Sequence, residues 1–339
     1  MREGQDPQSL YLLFDCGPFG YPLAPNHGHA DALSFEIHAC GQTILVDPGY
    51  YSAHLGNDWR NFFRGTHAHN TIVVDNQDQS LLLDTRRVHH PAQAELHKWI
   101  TSEHFDFVDG SHSGYRRLRE PIKHRRQIFF VKSEYWIVID VLTGSGTHTF
   151  DSFYHMMPHI ETHLDKETGC LRCSNQNETL FYIVPLYYRN LQVDILLGKA
   201  KPFQGWVSLY SGEKQPAPVL RYRKKTSAPA EFCTVIYPCG STLKSGIAAR
   251  SVNVRIDNSQ ANNEGTISAV RIETDMNTDY LVVDRGNSET RKFFDKFETD
   301  GQLVYLRLDK EARQILRAIQ IGGDFMYFKN KPITGSLLT

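Results

Sequence analysis

The stretch "LSFEIHACGQTILVD" (Leu33–Asp47) decides the fold class. Apolar residues alternate in its first half, so that Leu33, Phe35 and Ile37 share one face of an extended chain. A tight turn at Cys40-Gly41-Gln42 then leads into a second apolar run, the pattern of a β-hairpin. The same period-two pattern recurs outward along the chain in "NTIVVDNQDQ", "HFDFVDGSH", "RRQIFFVK", "YWIVIDVLTG", "HTFDSFYHMM", "TLFYIVPLYY", "WVSLYSG", "AEFCTVIYP", "TDYLVVDRG", "QLVYLRLD" and "DFMYFKN". These runs are rich in Val, Ile, Phe and Tyr and are punctuated by Gly, Asn, Asp and Pro. Helical periodicity is nearly absent; only "DKEARQILRAIQ" (Asp309–Gln320) admits a short helix, and a strand fits it equally. Strands at this density, mostly hairpin-linked, require stacked antiparallel sheets rather than a parallel α/β core. The expected fold is therefore all-β, a large multi-layered antiparallel β-sandwich.

Two stretches read as loops, Ser211–Glu231 and Arg255–Gly265. The first combines prolines with the basic residues Arg221, Arg223, Lys224 and Lys225. It sets an expected division into sandwich layers over 1–210 and continuing layers over 211–339, unless the whole forms one domain.

The chain has 339 residues, of which 40% are hydrophobic and 22% charged, enough for a large core. Its net charge of −1 gives no global field to favour nucleic acid or an anionic membrane, so an anionic ligand must be met by a local cluster. No run of about 18 apolar residues is present, and no membrane-spanning helix is expected. The start, "MREGQDPQSLYLLFDCGPFG", lacks the apolar core and cleavage site of a signal peptide. A cytoplasmic protein, or a chain whose targeting segment lies upstream, is expected on that ground. The six cysteines are scattered, and "CLRC" (Cys170–Cys173) is a lone pair whose members face opposite sides of an extended segment. Reduced thiols rather than a zinc ribbon are expected.

Chemistry concentrates at strand ends near the N-terminus. "HGHAD" places His27, His29 and Asp31 ahead of the decisive strand, "LVDPG" ends a strand at Asp47, and "GTHAHNTIVVD" places His67 and His69 before another. Three adjacent antiparallel strands would bring His29, Asp47 and His69 together. Two imidazoles and a carboxylate suit zinc, leaving a fourth position for water or substrate. In an extended segment His27 and His29 point the same way as Leu33, Phe35 and Ile37, which leaves His27 free for proton transfer where the buried face runs into a cleft. A cupin metal motif also opens with H-x-H but needs a Glu where Leu33 or Ser34 stands. No phosphate loop, nucleophile elbow or dinucleotide fingerprint is present.

"NHGHADALSFEIHACGQTILVDPGYYS", followed by "NDWRNFFRGTHAHNTIVVDNQDQS", closely resembles the C-terminal region of the heparinase II/III-like polysaccharide lyases. The resemblance extends through "RRQIFFVKSEYWIVIDVLTGSGTHTFDSFYHMMP" and covers most of the chain. It implies β-elimination on uronic-acid polysaccharides, with a helical α/α toroid in front of a multi-layered sandwich. It places zinc ligands on His29, Asp47 and His69, and a cleft-lining histidine on His27. Arg60 and Arg64 of "RNFFRG" then become candidates to pair with acidic sugar groups. The toroid of the family, which supplies a catalytic tyrosine and a carboxylate-binding asparagine, has no counterpart in this chain, so half an active site is expected. Cutting it away leaves an expected concave patch at His27, Arg60 and Arg64, with Trp59, Phe62 and Phe63 partly uncovered and self-association as a result. The resemblance also implies a periplasmic or secreted location. The runner-up reading is a non-catalytic, metal-stabilised β-sandwich that binds carbohydrate or a partner protein.

Overall fold

The computed structural model describes residues 1–21, 27–52, 57–84, 87–176, 178–186, 190–238, 247–257, 266–286 and 290–333. It is all-β, as the periodicity requires, and divides into two compact units: 1–183 with 188–240, and 184–187 with 241–339. The first unit therefore continues past residue 210 to Gly240.

In the first unit an eight-stranded sheet runs in the order Glu161–Leu164, Leu171–Asn175, Glu178–Pro185, Ala230–Pro238, Tyr135–Gly144, Ile122–Val131, Phe105–His112, Ala94–Thr101. A four-stranded sheet orders Gln192–Leu196, Val219–Ser227, Thr147–His155 and Ile72–Val74, and a three-stranded sheet orders Tyr11–Phe14, Phe35–Ala39 and Gln42–Leu45. Alternation explains the layering. Ile128, Phe130, Trp136 and Val138 of the first sheet share one core with Phe150, Tyr154, Leu220 and Tyr222 of the second and Leu12, Phe35 and Ile37 of the third. Burial on this scale, at about 25 cal/mol per Å² of apolar surface, is the main stabilising term. The hairpin at Cys40-Gly41 has φ of 53° and 73° at its two loop residues, the geometry that suits the strands' twist.

The second unit has a five-stranded sheet (Ala248–Ser251, Ile267–Glu273, Asn277–Asp284, Leu303–Asp309, Ile315–Ile321). Its other sheet holds Arg255–Ile256, Lys292–Phe294, Phe297–Thr299, Met326–Phe328 and Lys331–Pro332. Its own core includes Tyr280, Val282, Phe294, Phe297, Leu306 and Met326.

The structure corrects the reading of Ser211–Glu231 as a dividing loop. Val219–Ser227 is a full strand, paired along its length with Thr147–His155. Its two arginines are neutralised across the sheet: Arg223 makes two bonds to Asp151 (2.6 and 2.7 Å), and Arg221 pairs with Asp194 at 2.6 Å, while Lys224 Nζ donates to the Glu231 carbonyl. A basic run thus occupies a strand because carboxylates on neighbouring strands face it. Over Asp309–Gln320 the strand alternative holds, as Ile315–Ile321. Of Arg255–Gly265, Arg255–Ile256 is a short strand, and 258–265 lies outside the described residues. The described cysteines are free thiols, and Cys239 lies outside the described residues. No helix among the described residues is long and apolar enough to cross a membrane.

Candidate functional site

The histidine segment is a bent loop rather than the extended run its spacing suggests. Ser34 N–H donates to the Asp31 carbonyl (2.8 Å), and Leu33 sits at φ 63° with its N–H on the Asp15 carbonyl (2.7 Å). A leucine in this left-handed region costs about 1–2 kcal/mol, which the surrounding bonds must offset. The bend separates the two histidines: His27 is exposed and does not share the buried face of Phe35, whereas His29 turns inward.

The loop is tied to the helix Asn57–Arg64. Asp58 lies in its first turn and Arg64 in its last, each complementing the helix dipole. Trp59, Phe62 and Phe63, three and four apart, give it an apolar stripe. Phe63 is fully buried, while Trp59 packs 4.2 Å from Phe203 with the Lys214 ammonium 4.6 Å over its ring. Trp59 and Phe62 are therefore half-buried, and the expected uncovering of Phe63 does not occur. At the helix end the Arg64 carbonyl accepts the Ala30 N–H (2.8 Å), satisfying one of the orphan carbonyls there.

Arg64 also departs from its expected role. Its guanidinium is 2% exposed, and its Nε and Nη1 donate to the carbonyls of Gly28 and Asp84. Arg64 is thus a brace for the histidine loop. Arg60, one turn earlier, is also buried.

Asp47 leaves its strand in a side-chain-capped turn. Its Oδ1 accepts the Gly49 N–H (2.9 Å), and its Oδ2 takes a 2.6 Å bond from His69 Nδ1. Glycine is required at 49, where φ is 80° and a Cβ would stand 2.3 Å from the Ser208 carbonyl oxygen. His69 follows the 3-10 turn Thr66–Ala68 and is fully buried, its ring centroid 5.3 Å from that of His29. Asp31 joins them: the ligand atoms of His29, Asp31 and His69 lie within 4.8 Å of one another. The three segments do not lie on adjacent strands of one sheet, as the spacing had suggested. Asp47 follows the three-stranded sheet and His69 precedes the edge of the four-stranded one; the two meet where Val46 N–H donates to the His155 carbonyl (2.9 Å).

Charge in the cluster is unevenly shared. Burial, aided by neighbouring His69, holds His29 neutral with a pKa of about 3, and burial lifts Asp31 to about 6. Burial also opposes charge on His69, but Asp47 and its hydrogen bond outweigh it and raise the imidazole to about 9. Burial and then His69 push His155 down to about 3. His69 Nε2 is buried without a partner. An orphaned buried donor costs about 1–3 kcal/mol, which a ligand at that nitrogen would remove.

Beneath the cluster a buried polar network fixes both histidine-bearing segments. Arg126 Nη1 donates to the carbonyls of Leu33 and Asn70 (2.6 Å each), while Nε and Nη2 grip Asp140 at 2.6 and 2.9 Å. Asp140 also bonds His124 Nε2 (2.7 Å), whose Nδ1 faces His112 Nε2 (3.0 Å). The Gly114 N–H donates to His112 Nδ1, so the protons sit on the two Nε2 atoms. Asn70 clamps three strands: its Nδ2 donates to Phe35 and Val46 carbonyls and its Oδ1 accepts the His155 N–H.

The structure thus brings His29, Asp47 and His69 together and leaves His27 at the surface beside them. Asp31, Asn70, Arg126 and His155 belong to the arrangement without having been assigned to it. His155 carries the signal used for the others, a histidine at a strand end in "HTFDSFYHMM". Arg126 carried none, because a lone arginine in a strand looks solvated until Asp140 is seen opposite it.

Comparison with known proteins fits this geometry. The sequence profile of the heparinase II/III-like C-terminal domain matches residues 3–222. The chain is 23% identical over 242 residues to a heparin-sulfate lyase of Pedobacter heparinus, covering 70% of this chain and 33% of that protein. It is 24% identical over 285 residues to a heparin-sulfate lyase of Bacteroides thetaiotaomicron, covering 79% and 37%. The fold resembles the crystal structure of heparan sulfate lyase HepC from Pedobacter heparinus with a TM-score of 0.66 at 18% identity, over 85% of this chain and 41% of that one. The chain therefore spans between a third and two-fifths of the length of these relatives. With the profile covering most of the first unit, its histidine segments included, the chain belongs to the heparinase II/III-like family as a C-terminal domain.

Proposed function

We propose that this chain is the C-terminal part of a polysaccharide lyase that cleaves uronate-containing glycans by β-elimination. The observation that carries the reading is the exposed His27, two residues ahead of the half-buried His29, Asp31 and Asp47 gathered around the buried His69, on a segment within the family match. Elimination removes the C5 proton next to a uronate carboxylate and expels the C4 oxygen. A base, an acid and a carboxylate-neutralising group are needed. His27 supplies an imidazole for proton transfer, and Arg60 supplies positive charge on the neighbouring helix. The groups that complete the reaction are assigned to a helical domain of the kind the resemblance implies. Activity is tested by ultraviolet absorbance of the unsaturated uronate product, using a protein that includes such a domain. Turnover on heparan sulfate or another acidic glycan is expected; none on heparan-, alginate- or hyaluronan-type polymers would refute the reading.

The same reading places a zinc ion on His29, Asp47 and His69, with Asp31 close enough to join them. The residues fit such an ion with Asp31 in the carboxylate place: His29 is neutral, His29, Asp31 and His69 converge, and His69, held at Nδ1 by Asp47, would give up its Nε2 proton on binding. When bound, the ion would fix the bent loop and polarise groups near it. Asp47 orients His69, Arg64 holds the Gly28 carbonyl, and His27 is thereby aimed outward. One equivalent of zinc is expected to copurify with the native protein, and His69→Ala is expected to lose it. Free zinc at 100 times its dissociation constant should add about 2.7 kcal/mol to stability. Elemental analysis showing no metal, with no thermal shift on zinc addition, would remove the site.

A further inference from the structure

The second unit holds a pocket that the chemistry above does not use. Its volume is about 280 Å³, and its lining includes Arg271 and Tyr280 from one sheet, Phe297 and Phe328 from the other, and the turn residues Asp295 and Lys296. That size lies just below the usual range for small-molecule sites, room for one sugar-sized ring rather than a length of chain.

One wall is aromatic. Phe297 and Phe328 stack with centroids 4.8 Å apart, and Tyr280 packs 5.4 Å from Phe297. The other wall is polar. The Arg271 guanidinium lies 5.6 Å over Tyr280, pairs with Glu273 through Nη2 and stands 3.8 Å from Asp295 through Nη1. Its Nε is buried with no hydrogen-bond partner. Tyr280 O–H donates to Asp295 Oδ2 at 2.6 Å, which fixes that carboxylate at the mouth, 42% exposed.

Cations outnumber anions around it. Lys296 is exposed, and its carbonyl accepts the Lys329 N–H, while the Lys329 ammonium lies 4.7 Å over the Phe328 ring. Of the lining residues, the cations Arg271 and Lys296 stand against the single carboxylate Asp295.

We propose that this pocket binds the carboxylate-bearing ring of an acidic sugar, a single uronate residue of a glycan. Arg271 and Lys296 meet the carboxylate, Asp295 accepts from ring hydroxyls, and the Phe297–Phe328 wall covers the apolar ring face. The choice of a sugar rests on the function proposed above; the preference for an anion does not.

The test titrates the full chain with methyl glucuronide and with neutral methyl glucoside by calorimetry. Glucuronide binding at least tenfold tighter than glucoside is expected, falling at least tenfold in Arg271→Met and recovering in part in Arg271→Lys. If Arg271→Met does not fold, Lys296→Met, at an exposed position, is expected to weaken binding several-fold. Binding should persist in His69→Ala, whose change lies in the other unit. No glucuronide binding, equal binding of both sugars, or unchanged binding in the variants would overturn the proposal. Absence of lyase turnover would instead count against the catalytic reading and leave these titrations unaffected.

Discussion

Replacing Arg126 with methionine is expected to destabilise the first unit by about 3–5 kcal/mol, the cost of removing one partner from a buried ion pair. Arg126 and Asp140 are fully buried, and the arginine also holds the carbonyls of Leu33 and Asn70. The variant leaves the Asp140 carboxylate with His124 alone and releases the strained turn at Leu33. Lysine in its place keeps the charge but cannot reach four acceptors, so an intermediate loss is expected. The pH dependence gives an independent reading. Burial opposes ionisation of Asp140, yet Arg126 outweighs it and lowers the carboxyl from 3.8 to about 2. A depressed carboxyl contributes stability that is fully present above its unfolded value and lost as pH falls through its folded one. This contribution, about 2–3 kcal/mol, is therefore full above about pH 4 and is lost progressively as pH falls from there to about 2. In Arg126→Met the carboxyl protonates at higher pH, so the gap between the two proteins should narrow as pH falls from 5 to 2. Urea unfolding across that range measures it; a gap independent of pH would show that Asp140 is not the coupled group.

His27→Ala is expected to cut lyase turnover by about 10²–10⁴-fold in a protein completed by a helical domain, the usual contribution of a general acid or base. The fall should appear in kcat more than in KM. Because His27 is exposed and stands outside the proposed ligand set, zinc content and melting temperature should not change. Arg64→Ala should behave in the opposite way, lowering stability by freeing the Gly28 carbonyl and the histidine loop. Full activity in His27→Ala, measured by product absorbance, would make that histidine a bystander and move the proton transfer elsewhere.

What the sequence discloses depends on whether a residue's role is local. The alternation of Phe35 and Ile37 reports burial directly, so the sandwich is legible, as is the hairpin at Cys40-Gly41. His29, Asp47 and His69 stand out because imidazoles and a carboxylate at strand ends are uncommon company for apolar runs. The bend at Leu33 is not legible, since it depends on the Asp15 and Arg126 partners on distant segments. The strand Val219–Ser227 hides behind its charges for the same reason: Asp151 and Asp194 must be in place before Arg223 and Arg221 read as anything but solvated. The helix Asn57–Arg64 is too short for periodicity to show, and only its terminal charges and apolar triad betray it.

The strand order carries a consequence for how the chain assembles. Ala94–Thr101, Phe105–His112, Ile122–Val131 and Tyr135–Gly144 are consecutive in sequence and adjacent in the sheet, so each hairpin closes a short loop. The histidine cluster has no such advantage: Arg126 reaches Leu33 across 93 residues and Asn70 reaches His155 across 85. Entropy of loop closure therefore places the meander early on the folding route and the cluster late. By the same ordering, the cluster opens before the meander does in native-state fluctuations. The proposed chemistry thus rests on the contacts that loop closure favours last, and a bound ion would close the folding sequence rather than begin it.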